Sequence, residues 1–229
     1  MRRRARRVPG AERMTKLKVC CIASVDEAKL ALRHGAWALG LVAEMPSGPG
    51  VIDDATIAAI ARAVPREVAT FLLTSRTDGA AIVEHVVATG VNTVQLVDTV
   101  PTAAHVALRR ELPLVRVVQV IHVRDASSVD EARAAAEHVD VLLLDSGNPA
   151  LAVKELGGTG RVHDWSVSRA IVEAVDRPVF LAGGIRPENV AEAIRAVRPH
   201  GIDLCSGVRT DGRLDSAKLA RLVAAMSDA

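Results

Sequence analysis

Short apolar runs alternate with longer segments in which apolar residues recur at helical spacing. Runs of the first kind are typical of strands, and the amphipathic segments are typical of helices. The predicted strands span residues 16–22, 36–42, 67–73, 92–96, 114–120, 141–144, 178–181 and 201–204. The predicted helices span 26–34, 53–64, 78–89, 102–112, 127–138, 165–175, 187–197 and 215–226. The pattern therefore predicts eight strand–helix units in strict alternation.

The apolar character of the strands indicates how they are arranged. The segments VLLLD (141–145) and VFLAG (179–183) are apolar almost throughout, as expected for parallel strands buried on both faces. Eight such units fit an α/β fold of the (β/α)8 TIM-barrel type in a single domain. A doubly wound open sheet would carry a glycine-rich turn after the first strand, where this chain has CCIAS. We therefore expect residues 14–229 to form one barrel.

Composition excludes several classes of protein. With 49% hydrophobic residues the chain is too apolar for intrinsic disorder, and with 2% aromatic residues it lacks a platform for stacking nucleic-acid bases. No apolar run is long enough to span a membrane, and none follows the N-terminal arginines as in a secretory signal. Three cysteines without CxxC spacing predict a reduced, cytoplasmic protein with no metal site.

The net charge of +2 is distributed unevenly. Residues 1–13 contain six arginines and one glutamate, a charge of +5, which leaves −3 on the rest of the chain. We expect these residues to form a basic, disordered leader. An arm that binds polyanions is the alternative, because clustered arginines attract phosphate.

Glycines follow the two last predicted strands. Active sites of (β/α)8 barrels lie at the carboxyl ends of the strands, and phosphate is usually held by the last two loops. Gly183 and Gly184 follow the seventh strand, and Ser206 and Gly207 follow the eighth. Glycine lets backbone N–H groups approach an anion, although it also serves in ordinary turns. We expect a phosphate site here, with the GGTG segment 157–160 closing over it.

Asp145 directly follows the sixth strand. Its carboxyl group is therefore expected at the rim of the barrel, where partial burial would raise its pKa and suit it to act as a general acid. A role as turn former is the simpler alternative.

The first strand carries Lys18, Cys20 and Cys21. Strand alternation puts Lys18 and Cys20 on one face and Cys21 on the other. A buried lysine needs a partner, and we predict that Lys18 pairs with Asp203 on the eighth strand once the barrel closes. If that face points inward, Cys20 lies at the pore rim. A role as a small buried apolar residue is equally compatible with Cys20.

Taken together, these segments resemble one family. In the order and spacing of its motifs the chain is similar to phosphoribosylanthranilate isomerase of tryptophan biosynthesis. These motifs are KVCCI, VQL, LLLDS with GGTG and DW, AGGIRPENV and DLCSGV. The resemblance covers nearly the whole chain from residue 16 to 226. It implies an aldose–ketose isomerase that converts N-(5-phosphoribosyl)anthranilate into 1-(2-carboxyphenylamino)-1-deoxyribulose 5-phosphate. This Amadori rearrangement needs no metal or organic cofactor.

The resemblance also implies roles for particular residues. Asp145 corresponds to the general acid that protonates the furanose ring oxygen. Cys20 corresponds to the general base that removes the proton from the sugar carbon next to the imine, and a nearby Lys18 ammonium would favour its thiolate. The substrate phosphate is expected against Gly158, Thr159, Gly183, Gly184, Ser206 and Gly207.

Two departures from the family pattern bear on the site. The family usually has glycine after the catalytic cysteine, so Cys21 leaves open which thiol faces the site, with strand alternation favouring Cys20. The loop after the second strand, PSGPG at 46–50, lacks the arginine that the family uses for anthranilate, and Arg209 or Arg161 is the candidate replacement.

The alternatives are therefore the same acid and base acting on another phosphorylated aminosugar, or a non-catalytic barrel that binds a phosphate ligand. A small phosphorylated molecule is the expected partner, with neither a membrane nor nucleic acid.

Overall fold

The computed structural model of the chain describes residues 14–148, 151, 154–156 and 160–229. Eight parallel strands form a closed barrel in sequential order. They are β1 (Lys16–Val19), β2 (Ala38–Val42), β3 (Ala69–Thr74), β4 (Thr93–Leu96), β5 (Arg116–His122), β6 (Val141–Asp145), β7 (Val179–Leu181) and β8 (Gly201–Leu204). The helices are α1 (Val25–Arg33), α2 (Asp54–Ala63), α3 (Gly79–Thr89), α4 (Thr102–Glu111), α5 (Ser128–Ala136), α6 (Trp165–Ala174), α7 (Val190–Val197) and α8 (Ser216–Ser227). The predicted (β/α)8 barrel is confirmed.

Some boundaries differ from the prediction. The first strand ends at Val19 rather than at residue 22. The helix predicted from residue 187 begins at Val190, because residues 187–189 form a turn in which the Asn189 side chain accepts a hydrogen bond from the Arg186 amide at 2.9 Å. A 3₁₀ turn at Ser206–Val208 and a small hairpin at residues 209–214 were not predicted.

The helix starts follow from local side-chain chemistry. At five helices the residue before the first turn accepts a hydrogen bond from a backbone amide of that turn, which satisfies one of its otherwise unpaired donors. These capping residues are Ser24, Asp53, Asp78, Asp164 and Asp215. The polar residues that the pattern left between apolar segments therefore set where helices begin.

Side chains fill the inside of the barrel below its upper rim. Trp37 stacks on Phe180 with ring centroids 5.8 Å apart, and Phe71 meets Phe180 edge-on at 6.3 Å. A separate apolar layer lies between the strands and the surrounding helices. The inside of the barrel is therefore a packed core rather than a pore.

The barrel closes where β1 pairs with β8. Their register places Lys18 opposite Asp203, and the Lys18 Nζ lies 2.8 Å from Asp203 Oδ2. The predicted ion pair is confirmed. Burial is the largest influence on the pKa of Lys18 and would lower it, but the charge of Asp203, its hydrogen bond and the neighbouring cysteines together raise that pKa above its usual value. The lysine is therefore held as an ammonium ion inside the barrel.

Candidate active site

A pocket of about 680 Å³, its open mouth included, lies at the carboxyl ends of the strands. This size is in the range of small-molecule sites. The residues that line it are Cys20, Cys21, Val42, Met45, Ser47, Gly48, Pro49, Leu73, Gln95, Asp145, Leu156, Gly160, Ala182, Gly183, Gly184, Ile185, Asp203, Leu204, Cys205 and Ser206. Seven of the eight strands or the loops that follow them contribute, so barrel closure assembles this pocket from distant parts of the chain.

Asp145 is the last residue of β6 and lines the pocket as predicted. Its Oδ1 accepts a hydrogen bond from the Ser146 amide at 2.7 Å. The side chain is only partly exposed, so a carboxyl group is held in a fixed direction at the edge of the pocket. This arrangement suits a proton donor that must meet one atom of a bound molecule.

Cys20 and Cys21 both line the pocket. Cys20 shares the inward face of Lys18, as strand alternation predicts. The expectation that Cys21 faces away is wrong, because the strand has already ended at Val19. Cys21 adopts the left-handed conformation with φ +60°, and its thiol donates a hydrogen bond to the carbonyl of Pro49 at 3.6 Å. Alternation therefore cannot be extended across this residue.

Cys205 is a third thiol at the same place, which the sequence analysis did not assign. It lies two residues beyond Asp203, so continuing the alternation of β8 would have put it on the inward face. The Cys21 thiol interacts with Cys20 and with Cys205, and these contacts together with burial raise its pKa. The interaction with the Cys21 thiol, followed by the nearby Arg209 charge, lowers the pKa of Cys205 despite burial.

The glycine loops meet at one side of the pocket. Gly183 and Gly184 have φ values of +83° and +64°, which favour glycine. A Cβ at Gly184 would come within 2.7 Å of Val162 Cγ2, so the loop after β7 packs directly against the loop after β6. A Cβ at Gly207 would collide with the carbonyl of Ile185.

The predicted phosphate residues are therefore largely brought together. Gly183, Gly184 and Ser206 line the pocket, and Gly207 packs against the loop after β7. Gly158 and Thr159 lie outside the described residues. Gly160, the next residue along, does line the pocket near Ser206.

Two buried residues of the pocket lining carry an acceptor without a partner among the described residues. Gln95 on β4 and Asp203 on β8 both line it and are almost fully buried. Gln95 Oε1 and Asp203 Oδ1 have no hydrogen-bond partner among the described residues. Sequence reasoning missed Gln95, although a glutamine inside the apolar VQL strand was a visible signal.

The two arginines expected to replace the missing cation are engaged elsewhere. Arg209 pairs with Glu27 at 3.0 Å and donates to the Cys21 carbonyl, and Arg161 pairs with Glu155. Neither lines the pocket. Lys154, which the sequence analysis left out, lies beside the loop after β2. Its carbonyl accepts a hydrogen bond from Ser47 at 2.5 Å, and its ammonium pairs with Asp98 at 2.5 Å.

Within the part of the chain that the structure describes, no group of three or more histidine, cysteine, aspartate or glutamate side chains could hold a metal ion. No helix of that part has the length and apolar character needed to cross a membrane.

The fold and the pocket define a class. The chain is a (β/α)8 barrel enzyme that carries a carboxyl group, thiols and glycine loops at the carboxyl ends of its strands. Residues 17–225 match the sequence model of the N-(5'-phosphoribosyl)anthranilate (PRA) isomerase family. The chain belongs to this family.

Individual relatives agree with this assignment. N-(5'-phosphoribosyl)anthranilate isomerase 2 of Methanosarcina mazei is 37% identical over 210 residues, which cover 91% of this chain and 92% of that protein. The crystal structure of phosphoribosyl anthranilate isomerase from Thermotoga maritima matches with a TM-score of 0.79 at 25% identity, covering 94% of this chain and all of that one.

A more distant likeness concerns the fold alone. Thiamine phosphate pyrophosphorylase from Pyrococcus furiosus matches with a TM-score of 0.66 at 21% identity, covering 94% of this chain and 97% of that one. The same barrel thus occurs in a protein with a different name, and function has to be argued from the site.

Proposed function

We propose that this chain catalyses the Amadori rearrangement of N-(5-phosphoribosyl)anthranilate to 1-(2-carboxyphenylamino)-1-deoxyribulose 5-phosphate in tryptophan biosynthesis. One observation carries the proposal: Asp145 and Cys20, a proton donor and a proton acceptor from opposite parts of the chain, line one pocket bounded by glycine loops. Membership in the isomerase family supports the substrate.

Asp145 is the general acid of the first step. Its carboxyl group protonates the furanose ring oxygen, the bond from that oxygen to the anomeric carbon breaks, and the nitrogen lone pair forms an iminium ion. The Ser146 amide restrains one carboxyl oxygen through its hydrogen bond to Oδ1, which keeps the group aligned toward the pocket.

Cys20 is the general base of the second step. Its thiolate removes the proton from the sugar carbon next to the iminium carbon, and the resulting enolamine tautomerises to the ketone. The Lys18 ammonium interacts electrostatically with Cys20. Each proton transfer supplies on the order of 10²–10⁴ in rate.

The remaining polar groups position the substrate. The phosphate is held by Gly183, Gly184, Ser206 and Gly207, with Gly158 and Thr159 assigned from the sequence alone. Buried acceptors without a partner are costly, and sugar hydroxyl groups are suitable donors for Gln95 Oε1 and Asp203 Oδ1.

The proposal needs no cofactor and no nucleic-acid partner, and it places the enzyme in the cytoplasm, where its three free thiols stay reduced.

Freshly prepared phosphoribosylanthranilate tests the proposal, with the loss of anthranilate fluorescence as the measure of turnover. We expect turnover by the wild-type chain, and a fall in kcat of at least about 10²-fold in Cys20→Ala and in Asp145→Asn, because each removes one proton transfer. Cys21→Ala is the matched control one residue away, and its kcat should stay within about tenfold of wild type.

Other outcomes would change the assignment. An inactive Cys21→Ala beside an active Cys20→Ala would move the general base to Cys21. A wild-type chain that binds inorganic phosphate but does not turn over this substrate would reject it, in favour of another phosphorylated aminosugar or of a barrel that only binds phosphate ligands.

A further inference from the structure

Arg209 is a cation that lies close to the general base without lining the pocket. It begins the small hairpin at residues 209–214, which follows the 3₁₀ turn after β8. Its side chain is only 10% exposed. A guanidinium group does not lose its proton, so burying it requires compensating partners. The partners of its N–H groups therefore show which parts of the chain this residue holds in place.

One side of the guanidinium group binds the carboxylate of Glu27 on α1. Nη1 lies 3.0 Å from Oε1 and Nη2 lies 3.1 Å from Oε2, the paired geometry that arginine and carboxylate prefer. The same carboxylate accepts hydrogen bonds from the amides of Leu214 at 2.9 Å and Ala23 at 3.0 Å. Burial is the largest influence on the pKa of Glu27 and would raise it, but these hydrogen bonds lower it below its usual value. Glu27 therefore joins the hairpin to the loop between β1 and α1 as a carboxylate.

The same guanidinium group also donates to the backbone that carries the general base. Nη2 lies 3.3 Å from the carbonyl oxygen of Cys20 and 2.5 Å from that of Cys21. In a continuing strand, successive carbonyl groups point to opposite neighbours, so one donor does not meet both of them. The left-handed conformation of Cys21, with φ +60°, ends this alternation. Both carbonyl groups can therefore face Arg209.

Arg209 meets the carbonyl of Cys20 on the side where β8 has ended. The Cys20 amide still pairs with β8, donating to the Leu204 carbonyl at 2.8 Å, and Leu204 is the last residue of that strand. On the side of β2, the Cys20 sulfur lies against Gly40, where an added Cβ would come within 2.6 Å of it. The general base is thus held through its backbone by β8 and Arg209, and through its sulfur by β2.

We propose that Arg209 is a positioning residue for the general base: it fixes the carbonyl groups of Cys20 and Cys21 and thereby directs the Cys20 sulfur at the substrate carbon. The inference rests on the proposed function, in which Cys20 removes a proton. Arg209 does not line the pocket, so it acts through Cys20. Proton abstraction requires close approach, and a displacement of about 1 Å can cost about 10²-fold in rate.

A role in stability alone is the alternative, because breaking a buried ion pair destabilises a fold. Arg109 offers a matched case outside the pocket. It pairs with Asp140 at 2.8 Å and donates to the carbonyl of His138 at 3.3 Å, which are contacts of the same two kinds. Only Arg209 makes such contacts with the residues of the general base, so the two arginines separate positioning from the general effect of an ion pair.

The test compares Arg209→Met with Arg109→Met in the full-length chain, with the turnover of phosphoribosylanthranilate as the readout. We expect kcat to fall by at least about tenfold in Arg209→Met and to stay within about twofold of wild type in Arg109→Met. KM should change by less than about threefold in both variants. The 3₁₀ turn that carries Ser206 is anchored separately by Val208, which is fully buried.

Two further variants separate positioning from stability. Arg209→Lys keeps a charge beside Glu27 but lacks the planar fork that reaches a carboxylate and two carbonyl groups together, so it should recover stability more than kcat. It also carries the comparison should Arg209→Met fail to fold. In a Cys20→Ala background, Arg209→Met should lower the residual kcat by less than about twofold, because the base that it positions is already absent.

Amide hydrogen exchange gives a readout that does not need turnover. Residues 20–23 should exchange faster in Arg209→Met than in wild type or in Arg109→Met, because their carbonyl groups have lost their anchor. Unchanged exchange or unchanged kcat in Arg209→Met would overturn the inference, and so would an equal loss of kcat with and without Cys20. A wild-type chain without turnover would reject the proposed function and the catalytic role together, whereas faster exchange would still support Arg209 as the anchor of these residues.

Discussion

Lys18 has no exposed surface, yet it carries an ammonium group into the barrel. Asp203 lies 2.8 Å from it, and the Phe71 ring lies 5.1 Å from the same nitrogen. A buried charge is tolerated only with such compensation, since desolvation of an isolated ion costs several kcal/mol. At the scale of single residues, the stability of the barrel therefore depends on keeping both charges of this pair together.

Lys18→Met tests this dependence by leaving Asp203 buried without its counter-charge. We expect the free energy of unfolding, measured with urea, to fall by about 3–5 kcal/mol. Lys18→Met combined with Asp203→Asn should lose clearly less than the sum of the two single changes, because neither charge then remains. Arg133→Ala, which breaks an exposed pair with Asp130, should change stability by less than about 1 kcal/mol. Additive losses in the double variant would contradict the argument.

Among the elements, the loop after β7 needs glycine at position 184 for two separate reasons, its left-handed backbone and its close packing against the loop after β6. Gly184 and Gly90 have nearly the same left-handed φ, +64° and +67°. A Cβ at Gly184 would press on residue 162, whereas a Cβ at Gly90 would meet nothing within 4 Å. A side chain would strain the backbone at both positions, but only at Gly184 would it also collide with a second loop of the site.

Gly184→Ala and Gly90→Ala therefore form a matched pair. Each should lower the free energy of unfolding by about 1 kcal/mol through backbone strain. Gly184→Ala should also raise KM for the phosphorylated substrate by at least about tenfold, because small displacements of binding groups are costly. Gly90→Ala, at the end of α3 and away from the site, should leave KM unchanged. Equal KM values in the two variants would show that the contact between the two loops does not contribute to substrate binding.

For the whole molecule, the charge is divided between two regions of opposite sign. Residues 1–13 carry +5 and the remainder carries −3, so attraction by the barrel as a whole does not favour a substrate that carries both a phosphate and a carboxylate. Local contacts such as those of the glycine loops must supply that binding. The basic residues 1–13 would increase the substrate association rate only through long-range attraction, which salt screens.

Deletion of residues 1–13 tests whether this basic region takes part in catalysis. We expect kcat and KM to stay within about twofold of the full chain at an ionic strength near 0.15 M, where charges more than about 8 Å apart are screened. A larger rise in KM that disappears at high salt would show that the region attracts the substrate.

The order and type of the elements could be read from the sequence. Each strand buries both faces and each helix one, so the apolar pattern alone reports eight repeats of one unit. The Lys18–Asp203 pair followed too, because a buried ammonium needs a carboxylate and barrel closure makes the first and last strands neighbours.

The site was predicted where it depended on strand ends and on the glycine loops that follow them. Asp145 ends its strand, so its place at the rim of the barrel followed from that position. Cys21 lies beyond the end of β1 in a left-handed conformation, and the prediction of its direction was wrong. Arg209 was wrongly considered for the pocket because nothing local reveals its pairing with Glu27, 182 residues away.

Periodic burial and contiguous motifs were enough to predict the (β/α)8 architecture, the strand ends that carry chemistry and the family. Which side chains share one pocket became visible only in the folded chain. Closure of β8 onto β1 placed three thiols together, and Gln95 Oε1 and Asp203 Oδ1 there have no hydrogen-bond partner among the described residues. Hydrogen bonding and collision depend on distances between distant parts of the chain, and no local pattern contains those distances.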